Sequence, residues 1–406
     1  METITLFKNK KDCCACGACL NICPKQAIQM QEDENGFLYP VIDNDKCIKC
    51  GLCIKTCTLQ NSKLTNTPLK TYAAQSNNTD LKKSASGGIF ASLALNILKV
   101  GGVIYGAVLE NVNGKLICRH IAVNNVTDLE KLQGSKYIQS NIGNIYQDVK
   151  KNLLENKTVL FSGTPCQVDG LRAYLGKKYE NLYCIDIVCH GVPSNKMFQD
   201  YIEMLEKKYN DKIVDFKFRD KTKGWGLTAK GYTAKGYTAK GYTAIIPANV
   251  SSFYYYFLKS YIYRDSCYSC KYACKNRCGD ITIGDYWGIE NAHPEVLKNN
   301  SVLDYRNGVS CLIVNTEQGK KLIEKYKDDL KLIESDFEKA AEENRQLNRA
   351  SVCNVEKRDE ILNLYSKNGY ESVENSFRKI GFLNIVKNLV PVRMKNYVRK
   401  ILIKME

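Results

Sequence analysis

The chain lacks the features that would place it in a membrane or outside the cell. Its first residues, METITLFKNKKDCC, bring charge in before an apolar core of signal-peptide length can form, so an intracellular, cytoplasmic protein is expected. An apolar stretch at 87–109 resembles a membrane helix at first sight, but Asn96, Lys99 and the Gly101-Gly102 pair interrupt it. Helix, tight turn and buried strand are expected there instead. No nucleic-acid motif is present and aromatic residues do not interleave with basic ones, which argues against a nucleic-acid partner. With 44% apolar and 25% charged residues the chain also lacks the polar bias of a disordered protein. A formal charge of +16 points to an acidic partner or an anionic surface.

Cysteine is abundant: there are 19, nine of them before residue 58. In a reducing compartment such short regular spacings read as metal ligands rather than disulfides. Cys13, Cys16, Cys19 and Cys23, followed by Pro24, keep the C-x2-C-x2-C-x3-C-P spacing of two-cluster ferredoxins, and Cys47, Cys50, Cys53 and Cys57 repeat its intervals. In that arrangement the fourth cysteine of each run serves the other cluster. One [4Fe-4S] centre is therefore assigned to Cys13, Cys16, Cys19 and Cys57, and the other to Cys47, Cys50, Cys53 and Cys23. Gly17 and Gly51 ease the tight ligand loops. Cys14 stands outside the pattern, and the second run ends in Cys57-Thr58 where the first has Cys-Pro. Paired zinc sites would use separate C-x2-C units. Each assembled centre adds about two negative charges, so three would leave the chain at roughly +10.

At 406 residues two or three domains are expected. The expected division is a ferredoxin domain at 1–60, a polar linker at 61–70, a reductase domain in two parts at 71–150 and 151–320, and a helical tail at 321–406. Beyond the linker, apolar helices at 89–98, 168–175 and 196–209 alternate with strands at 102–109, 158–162, 183–188, 213–218 and 280–283, with Ser194 as a helix cap. The fold class is thus α+β/α/β: a two-cluster ferredoxin-like module, a mixed α/β domain and a helical C-terminal tail.

Four segments of the larger part carry chemistry. Ser86-Gly87-Gly88 precedes an apolar helix, and Ser162-Gly163-Thr164-Pro165-Cys166-Gln167 joins a strand to another; both starts offer backbone donors and a positive helix end to a phosphate. Asp186-Ile187-Val188-Cys189-His190-Gly191 sets polar groups at a strand end, where α/β sheets bind ligands. Cys267, Cys270, Cys274 and Cys278 run into DITIGDYWG at 280–288.

With SASGG at 84–88, GGVIYG at 101–106, LQGSKY at 132–137, SGTPCQ at 162–167, DIVCHGVPS at 186–194 and KFRDK at 217–221, these segments resemble the ferredoxin-fused branch of the coenzyme-420 (deazaflavin) hydrogenase and dehydrogenase beta subunits. The resemblance spans Cys13 to about Val314. It implies a flavoprotein that holds FAD beside an iron–sulfur centre and exchanges electrons with a redox partner protein, a ferredoxin or a larger enzyme, and with a small-molecule acceptor or donor. On that resemblance Ser86, Gly87, Gly88, Thr164, Cys166 and Gln167 seat the flavin. Of the residues nearby, His190 or Asp285 is a candidate to protonate the substrate side, the plain alternatives being a hydrogen bond from His190 to a strand-end carbonyl and a turn cap by Asp285 before Trp287. A third cluster would use Cys267 and Cys270 with either Cys166 and Cys189 or the local Cys274 and Cys278; the family motifs favour the first set. A non-catalytic subunit wiring a partner enzyme, or an accessory protein of polysaccharide synthesis, are the alternative functions.

Three copies of Thr-Ala-Lys-Gly-Tyr fill 228–242, an odd repeat expected to form an exposed hairpin or loop. The end of the chain, 377–404, is basic and amphipathic, suited to an anionic membrane face or to docking on a protein.

Overall fold

The computed structural model describes residues 5–61, 64–221, 224–234, 243–247, 251–298 and 301–379. In the N-terminal module Gly17 (φ 80°) and Gly51 (φ 73°) take left-handed backbone conformations just before the short helices α1 (Ala18–Ile22) and α2 (Leu52–Lys55). A side chain at either position would be strained, so glycine is what lets each cysteine loop turn into its helix. The antiparallel pair β1 (Ile28–Glu32) and β2 (Leu38–Ile42) completes the module.

The rest is built on one eight-stranded mixed sheet. In chain order its strands are β3 (Lys70–Ser76), β4 (Val103–Val112), β5 (Lys115–Val123), β6 (Val159–Gly163), β7 (Leu182–Ile187), β11 (Ile281–Asp285), β12 (Ser310–Val314) and β13 (Leu330–Ser335). The order across the sheet is β13-β3-β12-β11-β7-β6-β4-β5. The inner strands β4, β6, β7 and β11 run parallel, and the flanking pairs are antiparallel. Alternation along the strands supplies both faces with apolar side chains. On β6, Leu160 packs with Ile89, Leu93 and Ile97 of helix α3 (Ile89–Lys99), while Val159 and Phe161 face Val168 and Leu171 of helix α4 (Pro165–Leu175). Helix α5 (Asn195–Tyr209) starts at Ser194, whose hydroxyl accepts from Met197 N. A smaller antiparallel sheet, β10-β9-β8, joins β8 (Ile213–Lys217), β9 (Thr228–Thr233) and β10 (Thr243–Pro247).

Several expectations are corrected. The stretch 61–70 is not a free linker throughout: Leu69 N donates to Val314 O at 2.8 Å, Lys70 is already in β3, and Asn66 bridges to Arg277. The division at residue 150 runs through one continuous sheet, since β3 and β4 lie before it and pair with β12, β13 and β6 after it. The segment from 321 is not purely helical, because β13 closes the sheet edge against β3. Helix α6 (Val355–Lys379) follows, burying Ile361, Leu362 and Tyr365. The first Thr-Ala-Lys-Gly-Tyr copy and Thr233 of the next form strand β9, paired on both sides, with Ala229 and Thr233 buried rather than exposed. Residues 235–242 and the basic end from 380 lie outside the described residues. Among the described residues no helix is long and apolar enough to cross a membrane.

The module docks on the larger domain through polar contacts and close backbone approach. Tyr146 donates to Cys16 O at 2.7 Å, Asn21 to Gly143 O at 2.8 Å, and Ser194 to Asn35 O at 2.7 Å. Gly170 on α4 faces Cys16, where an added Cβ would stand 3.0 Å from the Cys16 Cβ. Glycine keeps the two surfaces in contact there.

Candidate cluster and cofactor sites

The N-terminal cysteines stand around two cavities. One is lined by Cys13, Cys16, Cys19 and Cys57, and the other by Cys23, Cys47, Cys50 and Cys53. Each cavity is thus lined by cysteines drawn from both runs. Cys14 and Cys53 also reach the first cavity. Thr58, in place of the second Pro, is buried and tied to the larger domain: Tyr272 donates to its Oγ1 at 3.1 Å and Lys271 Nζ donates to its carbonyl. A proline would lack that hydroxyl, so the departure from the ferredoxin spacing serves docking.

A third cavity is lined by Cys14, Cys166, Cys189, Cys267 and Cys270. Cys166 comes from the start of α4, Cys189 from the end of β7, and the other two from the 265–270 turn. The local alternatives are engaged elsewhere. Cys274 Sγ donates to Lys271 O and Asn276 O at 3.3 and 3.2 Å, and Cys278 Sγ to Pro165 O at 3.0 Å. Burial, followed by the neighbouring Cys267 and Cys270, pushes the Cys189 thiol up to about 12; burial and Cys270 do the same to Cys267. Such crowded thiols ionise only against compensating positive charge, which metal centres provide. Among the described residues no three His, Cys, Asp or Glu converge closely enough to hold a single metal ion.

Beside the third cavity lies a much larger one, of about 410 Å³, at the carboxyl ends of the parallel strands. Cys189 and His190 line both. Ser86 and Gly88 reach the large cavity, and the first turn of α3 opens onto it with no side chain capping its amides. Gly88, at φ 80°, provides that uncapped turn. Helix α4 differs: Thr164 and Gln167 form a capping box, and the Gln167 amide also donates to Ser140 O and Oγ, each at 3.0 Å. The helix start left without a side-chain cap is therefore that of α3, where backbone amides and the helix dipole favour an anion. Gln133 Oε1 is buried on the same wall without a hydrogen-bond partner.

The sequence-predicted residues divide between the two cavities. Cys166 lines the third cysteine cavity and not the large one. Gly87 does neither: its N donates to Ser310 Oγ at 2.9 Å, and an added Cβ would meet Ala74 O at 2.3 Å, so its smallness lets the loop lie on β3. Asp285 lines the large cavity and is held by Arg219 at 2.8 Å and by Trp225 Nε1 at 2.8 Å. His190 lines the large cavity and its side chain is accessible from it, although protein encloses most of its ring. Burial lowers its pKa against the raising pull of Asp285.

Sequence reasoning missed His120 and Lys136, both on the large cavity. His120 is held between Ser162 O and Ser140 Oγ, each at 3.0 Å, and burial lowers its pKa to about 4, so it is neutral, with Nε2 donating to the carbonyl. Nothing in strand β5 singled it out. Lys136 sits inside the LQGSKY motif, which was a usable signal; burial lowers its pKa to about 8.

The dicluster cysteine loops and the mixed α/β sheet together define an iron–sulfur electron-transfer protein with a fused ferredoxin module. Residues 12–61 match the 4Fe-4S dicluster domain, and residues 156–340 match the C terminus of the coenzyme F420 hydrogenase/dehydrogenase beta subunit. Residues 156–340 thus carry the C-terminal domain of that beta-subunit family, with the dicluster domain ahead of it. An uncharacterised ferredoxin from Methanocaldococcus jannaschii is 32% identical over 54 residues, 13% of this chain and 69% of the relative. A solved chain of the F420-reducing [NiFe] hydrogenase complex from Methanosarcina barkeri shares 17% identity at a TM-score of 0.43, covering 75% of this chain and 94% of its own.

Proposed function

We propose that the chain is a flavin-dependent iron–sulfur oxidoreductase, with FAD in the large cavity and three [4Fe-4S] centres in the cysteine-lined ones. The observation that carries this reading is that Cys189 and His190 wall both the third cysteine cavity and the large cavity, so the two sites adjoin. The ligand sets are Cys13, Cys16, Cys19 and Cys57; Cys47, Cys50, Cys53 and Cys23; and Cys166, Cys189, Cys267 and Cys270. When bound, flavin exchanges electron pairs and the clusters exchange single electrons.

The chain's own residues do the rest. The uncapped amides of α3 receive phosphate charge, with the Lys136 ammonium on the same cavity. Arg219, behind the wall, holds the Asp285 carboxylate by an ion pair and lies 5.3 Å from the Trp287 ring, fixing both of these cavity-lining side chains. His120 locks the β5 and β6 backbones without adding charge. His190 holds or passes a proton at its ring nitrogens, where cavity water reaches it. The redox partner is a ferredoxin or a larger enzyme, and the small-molecule acceptor or donor uses the open part of the cavity.

The test is anaerobic purification followed by acid release. FAD in the supernatant, with iron and labile sulfide near twelve each per chain, is the expected result for three four-iron centres, about four irons apiece. Clusters without flavin after reconstitution would leave the protein as a wiring subunit for a partner enzyme. Reoxidation of the reduced holoprotein by a panel of deazaflavin, nicotinamide, thiol and sugar-nucleotide acceptors then identifies the substrate class.

A further inference from the structure

Arg264 is fully buried, at 0% exposure, yet its hydrogen bonds all go to neutral acceptors. Nε donates to Cys13 O at 2.9 Å, Nη1 to Gln139 Oε1 at 3.1 Å and Nη2 to Leu38 O at 2.7 Å. Its guanidinium carbon also lies 4.1 Å from the Tyr39 ring centre. The carboxylate next to it in sequence, Asp265, pairs instead with Arg358 at 2.6 Å. A buried cation without an anion is strongly destabilising, so a native chain that keeps one has its counter-charge nearby.

The position of Arg264 indicates where that charge is. It lines the third cysteine cavity and grips the backbone of Cys13, which lines the first. Gln139, which takes its Nη1, donates in turn to Cys14 O at 3.0 Å, and Cys14 lines both cavities. None of these groups lines the cavity of Cys23, Cys47, Cys50 and Cys53. Where module and larger domain meet, one guanidinium thus lies between two sites for anionic centres.

We infer that Arg264 is the shared counter-charge of the first and third iron–sulfur centres, raising the reduction potential of both and leaving the second centre alone. This rests on the reading that the cysteine cavities hold [4Fe-4S] clusters. Physically, a positive group fixed in a low-dielectric setting favours the more negative, reduced state of a nearby cluster. It is a positioning and tuning residue and ligates no iron.

The experiment is an EPR-monitored reductive titration of the holoprotein, alone and as Arg264→Met and Arg264→Lys. In Arg264→Met two of the three potentials are expected to move downward together while the third stays. Arg264→Lys keeps the charge but gives up the planar fork, and is expected to bring the two potentials back towards those of the unaltered chain. Unchanged potentials in Arg264→Met overturn the proposal, as does a parallel shift of all three. Two potentials displaced as far in Arg264→Lys as in Arg264→Met would make the residue structural only, and this also overturns it. If Arg264→Met does not retain iron, Arg264→Lys decides alone: potentials matching the unaltered chain support the proposal, and displaced ones overturn it. Absence of iron and labile sulfide from the unaltered chain would instead remove the underlying reading.

Discussion

Asp186 and Arg277 form an ion pair at 2.7 Å in which both side chains are out of reach of solvent, at 0% and 2% exposure. Asp186 also accepts from Thr282 Oγ1 at 2.7 Å and from Gly279 N at 2.7 Å, while Arg277 donates to Tyr272 O at 2.9 Å. The pair ties the end of β7 to the 272–282 segment and so sets where Cys189 and Cys270 stand on the third cavity. Such a pair costs a great deal to desolvate and is intolerant of losing one member.

Asp186→Ala should therefore destabilise the chain by about 3–5 kcal/mol, because Arg277 is left buried and uncompensated. Chemical denaturation of the two proteins side by side measures this. A loss below about 1 kcal/mol would show that the charge relaxes to solvent.

Cysteine substitutions separate the ligand sets. Cys57→Ser and Cys166→Ser should each lower iron by about four atoms per chain, one centre's worth. Cys274→Ser and Cys278→Ser should leave iron unchanged, since both thiols are committed to carbonyl oxygens. Iron and labile-sulfide assays on anaerobic protein read the result; iron lost from Cys274→Ser with none lost from Cys166→Ser would favour the local set.

Asp285→Asn tests the large cavity. The change removes the charge that holds Arg219, whose side chain is 1% exposed, and weakens the acceptor of Trp225. FAD affinity should fall by roughly tenfold, about 1.4 kcal/mol, with iron content unaltered. Equilibrium dialysis against FAD checks this, and unchanged affinity would detach that wall from flavin binding.

His120 predicts a pH dependence of stability. Its folded pKa is lowered to about 4 by burial, against about 6.5 when unfolded. Between these values only the unfolded chain binds the proton, so stability rises with pH through that window and is lost as pH falls through it. In paired urea titrations, the stability of the unaltered chain relative to His120→Gln should drop by roughly 3 kcal/mol from pH 7 to below pH 4. A difference that stays flat with pH would mean that His120 titrates normally.

Much of the fold was legible locally. The strands read at 102–109, 158–162, 183–188 and 280–283 all lie in the central sheet, because buried parallel strands are short β-branched runs that stand out from their flanks. Strand β5 did not stand out: Lys115, Arg119 and His120 break its apolar pattern, and only pairing with β4 makes it a strand. Strand β13, with Lys331 and Glu334, was hidden in the same way and became part of an expected helical tail. Of the site, the eight N-terminal cysteines were readable from spacing. His120 was not, because its burial comes from elements far away in the chain, whereas Lys136 was signalled only by its place in the LQGSKY segment.

What the sequence determined by itself is the ferredoxin module. Its ligands lie within one or two loops, and a tight loop fixes thiol positions through local backbone geometry alone. The third cysteine cavity and the large cavity were decided by tertiary structure. Cys166, Cys189 and Cys267 come from separate elements, and they meet only because β6 and β7 are neighbours in the sheet and the 265–270 turn packs across their ends. Arg264 shows the same division: in sequence it is one basic residue among 59, and packing alone strips it of solvent and sets it between two cysteine sites.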